Sequence, residues 1–237
     1  LRAGDLKHLI DIQEATLVAD GMGGQTTTWA NVSGLSGLRA AIWPLYASER
    51  LEAMQLEHAI SHRIRIYYRP GLNADMRVVL DKGGERIASI VNRDFSAASA
   101  WTNATINAYN ETGDLTITAS AAGQYCYLPV ASAPMTKGCS YKLSFTCSNL
   151  VGQWYVYDYN ATHQISQTVT GGGATNTFYF TYRGTGGGGI RLTSVGATSS
   201  GDFDNFSLRE ARLFNIKSII NADERNVSLE LLCEEVN

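Results

Sequence analysis

A chain of 237 residues with 19 basic and 22 acidic side chains has a formal net charge of −3, too near neutral to mark nucleic acid or an anionic membrane as a surface-bound partner. No apolar run reaches the roughly 18 residues of a membrane span. The start, Leu1-Arg2-Ala3-Gly4-Asp5-Leu6-Lys7-His8, is charged where a signal peptide is apolar, so neither spanning nor export is expected.

Strand-like runs come first, at Leu9-Ile10-Asp11-Ile12, Thr26-Thr27-Thr28-Trp29, Leu38 to Trp43 and His62 to Tyr68. In the last, Ile64 and Ile66 are expected on one face and Arg63, Arg65 and Tyr67 on the other. Asp20-Gly21-Met22-Gly23-Gly24 reads as a turn, because glycine tolerates the positive φ of tight hairpins. After Pro44, Ser48 can cap a short helix over 47–60, with Glu49 near its positive end and Leu51, Met54 and His58 on one face.

From residue 88 the texture changes. Residues 88–211 hold 13 charged side chains in 124 positions, whereas the 113 flanking residues hold 28. The middle is rich in Gly, Ser, Thr, Asn and Tyr and alternates apolar with polar residues between turn signals, which predicts an all-β domain. Beyond it, Ile216, Ile219 and Ile220 form one expected strand, and Val227, Leu229 and Leu231 alternate along the last. The expected fold is therefore all-β: a small β-barrel with one short helix, from 1–87 and 212–237, interrupted by an inserted β-sandwich, 88–211. The segment Ile87-Ala88-Ser89-Ile90-Val91-Asn92-Arg93-Asp94 echoes Ile216-Lys217-Ser218-Ile219-Ile220-Asn221-Ala222-Asp223, so either could be the penultimate barrel strand. The second is preferred because it runs directly into the last strand.

Chemical signals are few. Gly184-Thr185-Gly186-Gly187-Gly188-Gly189 fits a dinucleotide pattern but separates two expected strands, so it reads as a hairpin or loop tip, and no cofactor is expected. His58 and His62 have helical metal-pair spacing without the following Glu. No GxSxG elbow or Ser-His-Asp pattern is present, and the expected chain is not an enzyme. Trp29 and Trp43 read as core or interface anchors. Cys126, Cys139, Cys147 and Cys233 lie too far apart for metal knuckles; reduced thiols are expected, with a Cys126–Cys139 or Cys139–Cys147 bridge as the alternative. Trp154-Tyr155-Val156-Tyr157-Asp158-Tyr159 puts Tyr155, Tyr157 and Tyr159 on one strand face, a candidate surface for stacking pyranose rings, with packing on a sheet or a subunit as the alternative. Tyr125, Tyr127 and Tyr182 are further candidates.

Residues 1–8, the Gly23-Gly24 turn leading to Trp29, the helix around Glu49, His62 to Gly71, and Asp223 to Asn226 followed by Leu229 to Glu235 together resemble the phage head-tail joining family, also called head-closure or stopper proteins. That resemblance implies a structural virion protein of a tailed-phage neck, assembled in the host bacterial cytoplasm. It further implies a homo-oligomeric ring, six or twelve copies, between the portal connector or adaptor and a tail-completion or tail-tube protein, with packaged DNA passing through the lumen. The loop from Ala15 to Gln25, with Asp20 and Met22, and the helix with Glu49, Leu51 and Met54 are the expected assembly contacts.

The ends of the insert, Val91 to Ser96 and Asp202 to Glu210, with Gly138 to Phe145 between them, resemble jelly-roll carbohydrate-binding modules. Arg93 stands where those modules usually carry glycine. The resemblance implies a possible glycan partner and a calcium ion held by Asp94, Asp202 and Asp204; the alternative for these carboxylates is solvated loop positions. A second functional expectation follows, a carbohydrate-binding decoration that adheres particles to cell-surface glycans.

Overall fold

The structure is a computed structural model that describes residues 3–19, 25–45, 60–166, 169–196, 198–221 and 226–236. The fold is all-β and divides into two compact units, Leu1–Asp81 with Arg212–Val236, and Lys82–Ala211. Among the described residues no helix is long and apolar enough to cross a membrane.

The first unit is a closed six-stranded barrel. After a 3-10 turn at Ala3–Asp5, strands β1 (His8–Ala19), β2 (Gln25–Asn31), β3 (Leu38–Pro44), β4 (His62–Tyr67) and β5 (Arg77–Glu85) follow in chain order. The chain returns through the last part of β15 (Ser199–Asn221) and ends in β16 (Ser228–Glu235). Hydrogen bonding runs β1–β3–β4–β16–β15–β5 and back to β1, with β2 added along the far half of β1. Closure leaves no free edge in that ring. Alternation supplies the filling: Ile64 and Ile66 point inward from β4 with Ile10, Ile12, Ala40, Val78, Leu229, Leu231 and Cys233 from its neighbours. Arg63, Arg65 and Tyr67 face outward as the pattern predicts.

One expectation is corrected here and one is narrowed. Residues 15–19, expected to begin a loop, continue β1 and pair with 29–25 of β2, because β-branched Thr16 directly opposite Thr28 suits a hairpin ladder. Of the two readings of Trp29 and Trp43, core or interface anchors, the core one is removed: Trp29 lies half-buried under the Arg77 guanidinium, 4.3 Å from its ring centre, and Trp43 is 42 % exposed. The helix expected over 47–60, and with it Glu49, Leu51 and Met54, falls outside the described residues apart from buried Ile60, as do Asp20 and Met22.

The second unit is a sandwich of two five-stranded antiparallel sheets. One runs β7 (Ala108–Glu111), β8 (Leu115–Ala119), β15, β10 (Ser140–Val151), β13 (Ala174–Thr181). The other runs β12 (Gln164–Ser166), β11 (Trp154–Tyr157), β14 (Ile190–Ser194), β9 (Tyr125–Leu128), β6 (Thr102–Asn103). Their facing residues, among them Ile117, Leu143, Phe145, Phe203 and Leu208 against Cys126, Leu128, Trp154, Val156 and Leu192, form one dry core. Phe178 to Thr181 and Ile190 to Leu192 lie in different sheets, so the glycine run 184–189 is not a hairpin tip but a loop that passes between the sheets. All four cysteines are free, and burial pushes the Cys147 and Cys233 thiols up to about 12, where they stay protonated.

A β-bulge governs how the sandwich core fills. Between Ser207 and Asp204, β15 advances three residues while β10 advances two, from Ser144 to Thr146. The extra residue, Asn205, sits at φ 55°, a left-handed conformation that Asn tolerates better than most side chains. Strict alternation would send Phe203 and Phe206 to opposite faces; the bulge turns both inward, at 0 % and 1 % exposure. Phe206 then meets Trp101 at 4.8 Å and Phe145 at 4.9 Å between ring centres.

The echoed segment takes two structures. Ile216 to Asn221 lies in β15 and pairs with β16, where a bulge at Lys217 directs both Ile216 and Ile219 to the barrel core. Its twin forms a one-turn helix, α1 (Val91–Asp94), closed by Phe95 at φ 49°. Buried Asn92 stabilises the helical version by accepting from Ala100 N at 2.6 Å through its side chain and from Trp101 Nε1 at 3.0 Å through its carbonyl.

Candidate functional site

The outward face of the β12–β11–β14–β9–β6 sheet carries a group of tyrosines. Because Cys126, Leu128, Trp154, Val156 and Leu192 point into the core, the intervening residues must point out. Register places them in two rows across the strands. Tyr157 and Tyr127 flank Arg191, and Tyr155 and Tyr125 flank Thr193. All four tyrosines are half-buried, with the rings packed side by side: Tyr155 and Tyr157 are 6.2 Å apart, and Tyr125 and Tyr127 are 6.3 Å apart.

Tyr159 joins this surface from the turn after β11, its ring 4.7 Å from that of Tyr127. The Tyr127 phenol beside it raises the pKa of the Tyr159 phenol above its ordinary value. The turn is built from beneath by Asp158, whose fully buried carboxylate accepts from Thr162 Oγ1 at 2.6 Å, His163 N at 2.8 Å and Tyr182 Oη at 3.1 Å. Such a carboxylate is stable in the core because three donors replace its water. Gly189 completes the cradle: a Cβ there would stand 2.7 Å from Tyr159 Cβ and 2.8 Å from the Leu128 carbonyl.

Tyr155, Tyr157 and Tyr159 are thus brought to one face, and Tyr125 and Tyr127 extend it. Tyr182 is not part of it; at 1 % exposure it is a core residue that holds Asp158. Sequence reading passed over Arg191, whose signal was its place at the centre of a strand between two tyrosine-bearing neighbours, a pairing that only the sheet order reveals.

Asp202 and Asp204 border a cleft of about 260 Å³ with Asp114, Thr146 and Ser148, and Asp94 accepts from Ser96 N at 3.1 Å and Ser96 Oγ at 2.8 Å. These bonds hold the Asp94 carboxyl below its usual range. Burial holds Asp204 above its own, with Asp114 and Asp94 adding to the effect. Asn149 Nδ2 donates to Asp202 at 2.6 Å and Asn205 Nδ2 to one oxygen of Asp204 at 2.9 Å, while the other Asp204 oxygen is buried without a hydrogen-bond partner among the described residues. Among the described residues no set of three His, Cys, Asp or Glu side chains is arranged to hold a metal ion.

In the barrel, His62 is a structural group. Its Nε2 accepts from Arg212 Nη2 at 2.9 Å, its Nδ1 donates to Ser61 Oγ at 2.9 Å, and Arg212 forks onto Glu235. Burial, then the Arg212 charge, lower its pKa, which keeps the ring neutral and Nε2 an acceptor. This clasp fastens the C-terminal strand beside β4, and it leaves no free nitrogen for the metal pair considered with His58, which itself lies outside the described residues.

No curated protein matches the chain. Among solved structures, the CBM22-1 xylan-binding domain of Xyn10C from Paenibacillus barcinonensis is similar at 17 % identity and a TM-score of 0.36, over 50 % of this chain and 91 % of that one. The N-terminal cellulose-binding domain of β-1,4-glucanase C from Cellulomonas fimi is similar at 18 % identity and a TM-score of 0.36, over 49 % and 92 %. The sequence of residues 1–106 matches a protein family, and that span holds β1 to β5 and the start of the sandwich. The strands that open the barrel thus carry the signature of the family described as phage head completion protein.

Proposed function

We propose that the chain is a structural component of a tailed-phage neck, forming a ring between the portal connector and the tail that closes the filled head and joins it to the tail. The observation that carries this reading is the match of residues 1–106 to the head completion family, in a segment that supplies four of the six strands of a closed barrel. The near-neutral charge suits a channel through which DNA slides, since every phosphate contact adds affinity and friction. Work in such a protein is assembly, and no catalytic group is assigned.

Particles assembled without this chain are expected to lose packaged DNA and to accumulate as separate heads and tails in negative-stain images, with both defects repaired by the chain supplied in trans. Tailed, DNA-filled particles in its absence would refute the reading.

The tyrosine face of the sandwich favours a second role compatible with the first, adhesion of particles to glycans. Aromatic rings with polar hydroxyls suit the apolar faces and equatorial hydroxyls of pyranoses. The whole chain applied to a glycan array is expected to bind a subset of glycans, and Tyr155→Ala with Tyr157→Ala to abolish that binding; an array with no signal removes this role.

A further inference from the structure

The tyrosine-bearing sheet has an unusual charge distribution. Its five strands, β6, β9, β11, β12 and β14, contain no Asp, Glu or Lys at all, and Arg191 is their single charged residue. Asp158, next along the chain from β11, points inward and is fully buried beneath the surface. The guanidinium therefore stands at the middle of an aromatic field with no carboxylate on its own sheet to neutralise it.

Its geometry is equally defined. Arg191 Cζ lies 3.6 Å from the centre of the Tyr125 ring, a stacked cation–π contact. Arg191 Nε donates to Thr193 Oγ1 at 3.0 Å. These two contacts fix the plane of the fork and its rotation, and among the described residues its Nη1 and Nη2 have no protein acceptor and no ion-pair partner. Side-chain entropy is already spent in holding it, so binding an anion there costs less than it would with a free arginine. Tyr157 and Tyr127 stand on either side of Arg191 in register.

We propose that this face selects acidic saccharides, with a uronic-acid type carboxylate forked by Arg191 while the sugar ring stacks on Tyr127 or Tyr157. A uronic acid carries its carboxylate at the ring edge, so one residue can stack and pair at once, which a neutral pyranose cannot. A nucleic acid is disfavoured by the same observations, since a single positive charge on a sheet without other bases gives little phosphate affinity. This inference rests on the glycan-binding role and narrows it to a chemical class.

The test uses the whole chain and two forms of one polymer, polygalacturonate fragments and the same fragments fully methyl-esterified, with a DNA duplex as a third probe. The acid is expected to bind about tenfold or more tighter than the ester, the loss of one charge-assisted pair. Arg191→Gln should bring the acid down to the ester's affinity while leaving the ester unchanged, and Arg191→Lys should fall between. Equal affinity for acid and ester, with a positive glycan array, overturns the acidic preference and spares the broader role. Binding of neither polymer overturns the acidic preference, and the array then decides the broader role separately. Arg191-dependent binding of the DNA duplex alone also overturns it, assigning the face to another polyanion. Because Arg191 is on the surface side of β14, an unchanged far-UV circular dichroism spectrum in each variant establishes that the sheet is intact.

Discussion

Phe206→Ala is expected to destabilise the sandwich by about 3–5 kcal/mol, the range found for removing a buried aromatic ring. Phe206 is 1 % exposed and forms the centre of a cluster in which Phe95, Trp101 and Phe145 all lie within 6.1 Å, ring centre to ring centre. These three neighbours come from three separate places, the end of α1, the loop beyond it and β10, so no single movement collapses the void. A residual cavity adds to the lost transfer energy. Phe206→Leu keeps most of the volume and should cost less than half as much. Urea unfolding followed by hydrogen exchange, resolved to the amides of β10 and β15, measures the effect within residues 82–211, while the amides of β3 and β4 serve as the internal reference. A loss under about 1 kcal/mol would show that the cluster relaxes around the gap, contrary to the packing argument.

Glu85→Ala should cost about 2–4 kcal/mol through backbone groups instead of packing. The Glu85 carboxylate accepts from Leu208 N at 2.8 Å, from Ile87 N and Arg86 N at 3.1 Å each, and from Ser207 Oγ at 2.6 Å. Arg93 and Arg209 stand 3.7 and 3.8 Å from it. Arg86 N keeps a second acceptor, the Leu208 carbonyl at 2.7 Å. Ile87 N and Leu208 N, on residues at 2 % and 0 % exposure, lose the acceptor that Glu85 provides. Leaving such donors unsatisfied is costly, whereas the exposed part of the ion pairs contributes little. Glu85→Gln retains one carbonyl acceptor and should recover about half of the loss. The readout is the thermal midpoint together with exchange rates at Ile87 and Leu208. Unchanged exchange at those two amides would mean that Glu85 is not their anchor.

The two variants act on the places where local pattern and final structure part company. Phe206 is inward only because of the bulge at Asn205, and Glu85 ties the chain's entry into the second unit, at 85–87, to the strand by which it leaves, at 207–208. Neither relation has a sequence period. Both depend on which strands become neighbours.

Much of the architecture was nonetheless legible. The all-β class followed from period-two alternation, and the runs at Leu38 to Trp43 and His62 to Tyr68 became β3 and β4, the second with the inward and outward faces expected, while Leu229 and Leu231 alternate inward along β16 but Val227, expected to alternate with them, precedes the strand and is exposed. The shared face of Tyr155 and Tyr157 followed from the same rule, because a pleated strand sends alternate side chains to opposite sides whatever its neighbours are, whereas Tyr159 reaches that face from the turn beyond β11. Local chemistry failed where partners decide. Two similar octapeptides, at 87–94 and 216–223, took different structures, a helical turn over 91–94 in the first and a strand over 216–221 in the second. Asn92 found Ala100 N and the Trp101 indole, whereas Ile216 and Ile219 found the barrel core. Short segments have little intrinsic preference, so tertiary contacts outweigh propensity.

Residue order alone sets the alternation, and through it the strands and their two faces. Everything else about the site and the core came from long-range pairing. Sheet order set Arg191 between Tyr157 and Tyr127, which belong to strands distant from it in the chain. Bulges at Asn205 and Lys217 rotated side chains that a regular strand would have exposed. Burial separated Tyr182, which holds Asp158 in the core, from tyrosines of the same local appearance that face solvent. Each of these depends on pairing between distant strands, and pairing is a property of the whole hydrogen-bonded sheet, which no window of neighbouring residues contains.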